Sequence, residues 1–243
     1  MSTKLVDDTK LTAIGNAIRT KGGTQALLTL DEMPQAIDDL PSGGGGFDWS
    51  QLQGITIQQH DTSNPITALD LTGMDTSGFL TFYNMFGNLT HLASLDVSTV
   101  DLTSAKALNY MFYYCQALTS LDLRTFDTSN VTNMSNMFRN CSALESIYFP
   151  KFDSTHLTVS SSVTDMYKSD NALAALILAT DKTTVQQIPN SFYSMGLPTS
   201  TIVYVPDALV SDYKAATNYS YIEDRIKGVS ELPQKYKTLY GLS

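Results

Sequence analysis

The stretch Asp127-Thr128-Ser129-Asn130-Val131-Thr132-Asn133-Met134-Ser135-Asn136-Met137-Phe138-Arg139-Asn140-Cys141-Ser142-Ala143-Leu144-Glu145-Ser146-Ile147 decides the fold, because its parts return along the chain at a fixed step. Met137-Phe138 has counterparts 26 residues apart in Met85-Phe86 and Met111-Phe112, and another in Met166-Tyr167 after 29. Leu69-Asp70-Leu71, Leu95-Asp96-Val97, Leu121-Asp122-Leu123 and Ile147-Tyr148-Phe149 keep the 26-residue step, and Leu176-Ile177-Leu178 follows after 29. Leu92, Leu118, Leu144 and Leu173 repeat in phase, as do Asp75, Asp101, Asp127 and Asp153. One extra triplet near Ser160-Ser161-Ser162 accounts for both longer steps. Several independent positions sharing one period establish a repeat, and a repeat of this length takes precedence over local readings.

The period predicts an α/β fold: a leucine-rich-repeat-like solenoid with a stacked parallel sheet, preceded by a short helical N-terminal segment. Leu-Asp-Leu alternates apolar, polar, apolar, as a short strand with one buried face does. Strands of successive coils would stack at ~4.8 Å. Asp127-Thr128-Ser129-Asn130 is rich in side chains that bond their own backbone, so it turns the chain. Val131, Met134, Met137 and Phe138 then follow at spacings of 3, 3 and 1, which predicts one or two helical turns facing inward. No single coil can bury its apolar face, so the stack holds or melts together.

Cys115 and Cys141 occupy the same place in neighbouring coils, where the first coil has Leu89 and the last has Asp170. They read as a ladder of small buried residues. Adjacent coils would bring their Cα atoms within the ~4.4–6.8 Å of a disulfide, so distance leaves a bond open. No thiolate-activating base lies near either in sequence, so neither is assigned a catalytic role.

The quoted stretch resembles the 26-residue repeat of bacterial surface proteins, the BspA-like leucine-rich repeats. The resemblance covers residues 66–205. It departs at Gly87-Asn88-Leu89, where later coils have Cys, and over 150–166. Residues 47–65 then stand as an N-terminal cap. Tyr204-Val205-Pro206-Asp207-Ala208-Leu209-Val210-Ser211-Asp212-Tyr213-Lys214 is similar to the close of such proteins, a last strand followed by a helical cap over 206–243. A polar end of this kind keeps a solenoid from growing.

Residues 1–40 are a different object. Asp8 to Arg19 carries Leu11, Ile14 and Ile18 at helical spacing, and Gly22-Gly23 stops it. Asp31 can cap a second helix with Met33, Ile37 and Leu40 on one face. Pro41-Ser42-Gly43-Gly44-Gly45-Gly46 reads as a flexible linker over 41–46. Two short amphipathic helices need a partner for their apolar faces, and the linker favours other chains over the solenoid. The segment from Thr9 to Gly23 and on through Glu32-Met33-Pro34-Gln35-Ala36-Ile37 is similar to openings of tail and appendage proteins of phages of Gram-positive bacteria. That resemblance implies an attachment or oligomerisation segment that joins other tail or baseplate proteins, and a homo-oligomer such as the trimer common among phage fibres.

Composition narrows the function. The 243 residues carry 15 Lys+Arg against 24 Asp+Glu, a net charge of −9, with 29 Thr and 25 Ser. An acidic chain of pI about 4.6 argues against sequence-independent nucleic-acid binding and against a polybasic grip on anionic membrane. No run approaches the ~18 apolar residues of a membrane span. The N-terminus lacks the apolar run of a secretory signal, and the C-terminus lacks a hydrophobic tail. His60, His91 and His156 are scattered and form no metal cluster. No phosphate loop, HExxH motif or nucleophile elbow occurs, so no catalytic, cofactor or metal residue is assigned.

The candidate sites come from comparing coils. Inward rows stay constant while outward rows vary. The variable positions are Tyr113, Tyr114, Arg139 and Lys168 on the turn side, and Asp70, Asp96, Asp122 and Tyr148 on the sheet side. A column of carboxylates reads as a solvated ladder, since a hard cation wants about 6–8 oxygens. Two adjacent exposed tyrosines can stack on a sugar ring or pack on a neighbouring subunit. The receptor-contacting residues are therefore expected to be Tyr113, Tyr114, Arg139 and Lys168, against a neutral host-surface glycan or a protein. The resulting expectation is a non-enzymatic phage or prophage tail or baseplate fibre located on the virion. A bacterial surface adhesin on the cell surface is the alternative, with a polysaccharide depolymerase third. The missing secretory signal, taken with the resemblance of residues 1–40, favours the virion.

Overall fold

A computed structural model describes residues 66–67, 69, 71, 75–178, 180–186 and 194–242. The expectations for residues 1–40, 41–46 and 47–65, and for Asp70, lie outside the described residues. Five strands form one parallel sheet in strictly sequential order: β1 (Ser120–Asp122), β2 (Ser146–Phe149), β3 (Ala175–Leu178), β4 (Ile202–Val205) and β5 (Ile226–Gly228). Leu121 pairs with Ile147, Ile147 with Leu176, and Leu176 with Val203, so the register of the sheet follows the repeat of the sequence. The extra triplet is absorbed before β3 as a 3-10 turn, Ser160–Val163. Leu95-Asp96-Val97 forms no regular strand; on the sheet side, Ala93 N–H donates to Thr67 O (3.2 Å) in the preceding repeat.

The helical turns expected after each Asp-Thr-Ser segment are not helical. Residues 83–88, 109–114 and 135–140 are consecutive tight turns, and their hydrogen bonds alternate. In the third repeat the amides of Met134, Asn136, Phe138 and Asn140 donate to Ser162, Thr164, Met166 and Lys168 in the next repeat. The amides of Met137, Arg139 and Cys141 instead close four-residue turns onto Met134, Asn136 and Phe138. The same pattern joins the second repeat to the third. The cause is backbone handedness. Asn84, Asn88, Asn136, Asn140, Asp165 and Ser169 all have φ between 53° and 69°, and a left-handed residue ends an α-helix rather than extending it. Asn and Asp accept that conformation most readily after Gly.

The Asp of each turn segment fixes the corner before these turns. Asp75, Asp101, Asp127 and Asp153 each accept, through Oδ1, the amide of the residue two positions on. Beside them, the Thr128 hydroxyl donates to Asp153 O (2.9 Å) and accepts from Asp153 N–H (2.7 Å), so one side chain satisfies two backbone groups of the next repeat.

The main core lies between the sheet and the turn side. Its centre is a column of rings, Phe86 on Phe112 on Phe138 on Tyr167, with centroids 5.5, 5.7 and 5.6 Å apart and nearly parallel planes. A second apolar cluster covers the other face of the sheet. Helix α1 (Val210–Ala215) and a 3-10 segment, Thr217–Arg225, lead into β5, and helix α2 (Gln234–Tyr240) brings Tyr236 and Tyr240 onto Tyr148, Ile177 and Tyr204. The expectation that Tyr148 is exposed is thereby corrected. It is 9% exposed, its ring lies 5.2 Å from that of Tyr240, and burial pushes its phenol up. Arg124 stitches this layer to the sheet: its guanidinium grips Asp122, donates to Tyr240 O (3.0 Å) and lies 5.8 Å from the Tyr148 ring.

Candidate functional site

The four residues expected to touch a receptor lie on the turn side, on adjacent stacked turns. Tyr114 N–H donates to Arg139 O (3.0 Å), and Asn140 N–H donates to Lys168 O (2.9 Å). The tyrosines and the basic residues nevertheless form two unlike halves.

One half is aromatic and larger than the coil comparison indicates. Tyr113 meets Tyr114 edge-on with centroids 4.7 Å apart, Tyr110 meets Tyr113 at 5.3 Å, and Tyr83 of the preceding repeat meets Tyr110 at 5.6 Å. Tyr83 is 53% exposed, and the other three are half-buried. Leu80, also exposed, sits one turn before Tyr83. Tyr83 and Tyr110 are the residues that sequence reasoning missed. The signal was available in part, since Tyr110 stands where the other repeats carry Asn84, Asn136 and Asp165.

The backbone under this cluster is strained. Tyr110 (φ 63°) and Tyr114 (φ 60°) occupy the two left-handed positions that the first and third repeats fill with Asn. A bulky side chain there costs on the order of 1 kcal/mol per residue. No requirement of the fold calls for Tyr there, because Asn84 and Asn136 build the same turn.

The other half is charged, two cations sharing one carboxylate. Arg139 Nη1 and Lys168 Nζ both lie 3.0 Å from Asp165 Oδ2, and Arg139 Nη1 also donates to Asn136 Oδ1 (3.1 Å). Arg139 is half-buried by this arrangement while Lys168 remains exposed. The pair offers donors at an edge and leaves the group with one net positive charge.

The remaining candidates fall to structural roles. Asp96 accepts Ser98 N–H (2.8 Å), and Asp122 is held by Arg124. Cys115 and Cys141 are free and fully buried, their thiols donating to Phe86 O (3.1 Å) and Phe112 O (3.0 Å). Burial pushes Cys115 up to about 12 and Cys141 well above the ordinary thiol range, the reverse of what a nucleophile needs. Among the described residues no three His, Cys, Asp or Glu gather as a metal site would require, and no helix is long and apolar enough to cross a membrane.

Comparison with known families matches residues 56–180 to a family described as Mycoplasma protein of unknown function, DUF285. The chain belongs to that family. The matched span holds the repeats through β3, including every tyrosine of the cluster and both basic residues, so the repeat read from the sequence is a family feature. With the parallel sheet, it fits a leucine-rich repeat. The match begins at residue 56, so the resemblance of residues 1–40 to phage tail proteins lies outside it. No curated protein matches the chain.

Proposed function

We propose that the chain is a non-enzymatic recognition protein, a solenoid that binds the host bacterial surface through the tyrosine cluster on its turn side. The observation that carries this reading is Tyr110 and Tyr114 at left-handed positions where Asn suffices. Local strain kept against an easy alternative marks a functional surface. Four tyrosines in mutual contact present rigid, amphipathic area at small entropic cost, with phenol hydroxyls for orientation. Such a surface suits a neutral glycan or a protein. With the net charge at −9, it also avoids relying on long-range attraction to a polyanionic wall.

In this reading the protein belongs to a tail or baseplate fibre, with residues 1–40 joining it to other virion proteins and to further copies of itself; the resemblance of those residues to phage tail openings supports it. A cell-surface adhesin with the same repeats is the second reading. Mass spectrometry of purified particles separates them, because a fibre protein is recovered in the virion. The depolymerase reading predicts reducing ends released from host polysaccharide, and the proposed function predicts none.

The test uses the repeat's own alternative residue. Replacing Tyr110→Asn with Tyr114→Asn relieves two left-handed strains while removing ring contacts of ~0.5–1.5 kcal/mol each, so the melting temperature should stay within a few degrees. Attachment of the labelled protein to host cells should fall at least tenfold. Retained attachment by the folded variant contradicts the assignment. Periodate or protease treatment of the cells tells glycan from protein.

A further inference from the structure

Asp170 is the fourth member of the column Leu89, Cys115, Cys141, Asp170, and it is fully buried. Its Oδ1 accepts Cys141 N–H (2.8 Å), while Oδ2 is buried with no hydrogen-bond partner among the described residues. No cation faces it. The titratable groups that interact with it are the Cys141 thiol of the third repeat and the Tyr167 phenol of its own, both held neutral by burial; the Cys115 thiol, also neutral, lies beyond Cys141. Buried carboxylates without a counter-charge give up ionisation before they give up burial.

The column supplies a reason for the acid. Cys115 Sγ donates to Phe86 O in the preceding repeat, and Cys141 Sγ donates to Phe112 O. Each bond runs back one repeat to the carbonyl of the stacked Phe. By the same step a residue at 170 would meet Phe138 O, which already accepts Cys141 N–H (3.1 Å). A carboxylate there brings a second acceptor to a carbonyl, whereas a carboxylic acid brings a donor.

We propose that Asp170 is kept as the neutral acid, with Oδ2–H donating to the carbonyl of Phe138, so that the seam between the third and fourth repeats is closed by protonation and strained by ionisation. The seam is thus a pH-sensitive joint within an otherwise apolar stack. In the folded chain burial pushes the carboxyl up to about 8, opposed only by the Cys141 amide. In the unfolded chain it ionises near its ordinary ~3.9. Between those values the folded chain binds one more proton than the unfolded chain, so stability falls as pH rises from about 4 to about 8 and levels off above.

The experiment is thermal and denaturant unfolding of the full chain between pH 5 and pH 9, for wild type, Asp170→Asn and Asp170→Cys. Asn keeps the acceptor for Cys141 N–H and adds a permanent donor; Cys continues the thiol column. The wild-type unfolding constant should rise about tenfold per pH unit relative to Asp170→Asn between pH 5 and about 8. Parallel pH profiles for wild type and both variants overturn the proposal. A carbon-13 titration of the Asp170 carboxyl decides the matter even if neither variant folds: a midpoint near 8 supports the neutral acid, and one below about 5 overturns it.

Discussion

Gly196 shows how much a single residue can decide in this fold. Its φ is +74°, and a Cβ placed on it would lie 2.8 Å from Lys168 Cα. The fourth repeat's turn packs directly on this backbone: Tyr167 N–H donates to Met195 O (2.8 Å). A side chain there meets both a disfavoured conformation and a neighbour that is main chain and cannot rotate away. Gly196→Ala should therefore destabilise the folded chain by roughly 1–3 kcal/mol, read as a shift of the denaturant midpoint at unchanged m-value. An unshifted midpoint would mean that the two turns are not packed as described. Asn at 84, 88, 136 and 140 solves the same handedness problem more mildly. That is why Tyr at 110 and 114 reads as a departure and not as part of the scaffold.

At the scale of the element, the strands from β1 onward were legible, Leu95-Asp96-Val97 was not one, and the turns after each Asp-Thr-Ser corner were misread as helical. Ile147-Tyr148-Phe149 and Leu176-Ile177-Leu178 fall within β2 and β3, because a period of two on a 26-residue repeat has few other solutions. The spacing Val131, Met134, Met137 does not separate a helix from successive tight turns, since both can return a side chain inward at the third position. What separates them is the sign of φ at Asn136 and Asn140, which composition only suggests. Tyr148 was misread for a different reason. Comparison between coils identifies variable positions but not what later folds over them, and α2 arrives from some ninety residues further on. Joints between elements also differ along the chain. Thr128 bridges both backbone groups of Asp153, but the second repeat has Leu102 at that place, and there Asp127 N–H turns to Thr125 O (3.0 Å) within its own repeat. Thr128→Val leaves the half-buried Asp153 N–H without that acceptor and should cost about 1 kcal/mol, measured by equilibrium unfolding. A neutral effect would show that this amide finds a partner as easily as Asp127 does.

For the whole molecule, the sheet and the second apolar layer leave the turn side as the surface on which successive repeats differ most. The layer under α2 occupies the opposite face: Tyr148, Tyr204, Tyr236 and Tyr240 are all buried there. The aromatic cluster thus lies at one end of the turn side and the Arg139–Asp165–Lys168 group at the other. If residues 1–40 assemble the protein, light scattering should give the full chain a multiple of its monomer mass and a chain starting at Phe47 the monomer mass alone. Equal states of assembly for both would refute that role. The most direct measurement is attachment of labelled Tyr113→Ala/Tyr114→Ala protein to host cells, alongside its melting curve. The account predicts at least tenfold weaker attachment with the melting temperature within a few degrees of wild type. Undiminished attachment by the folded double variant would contradict it.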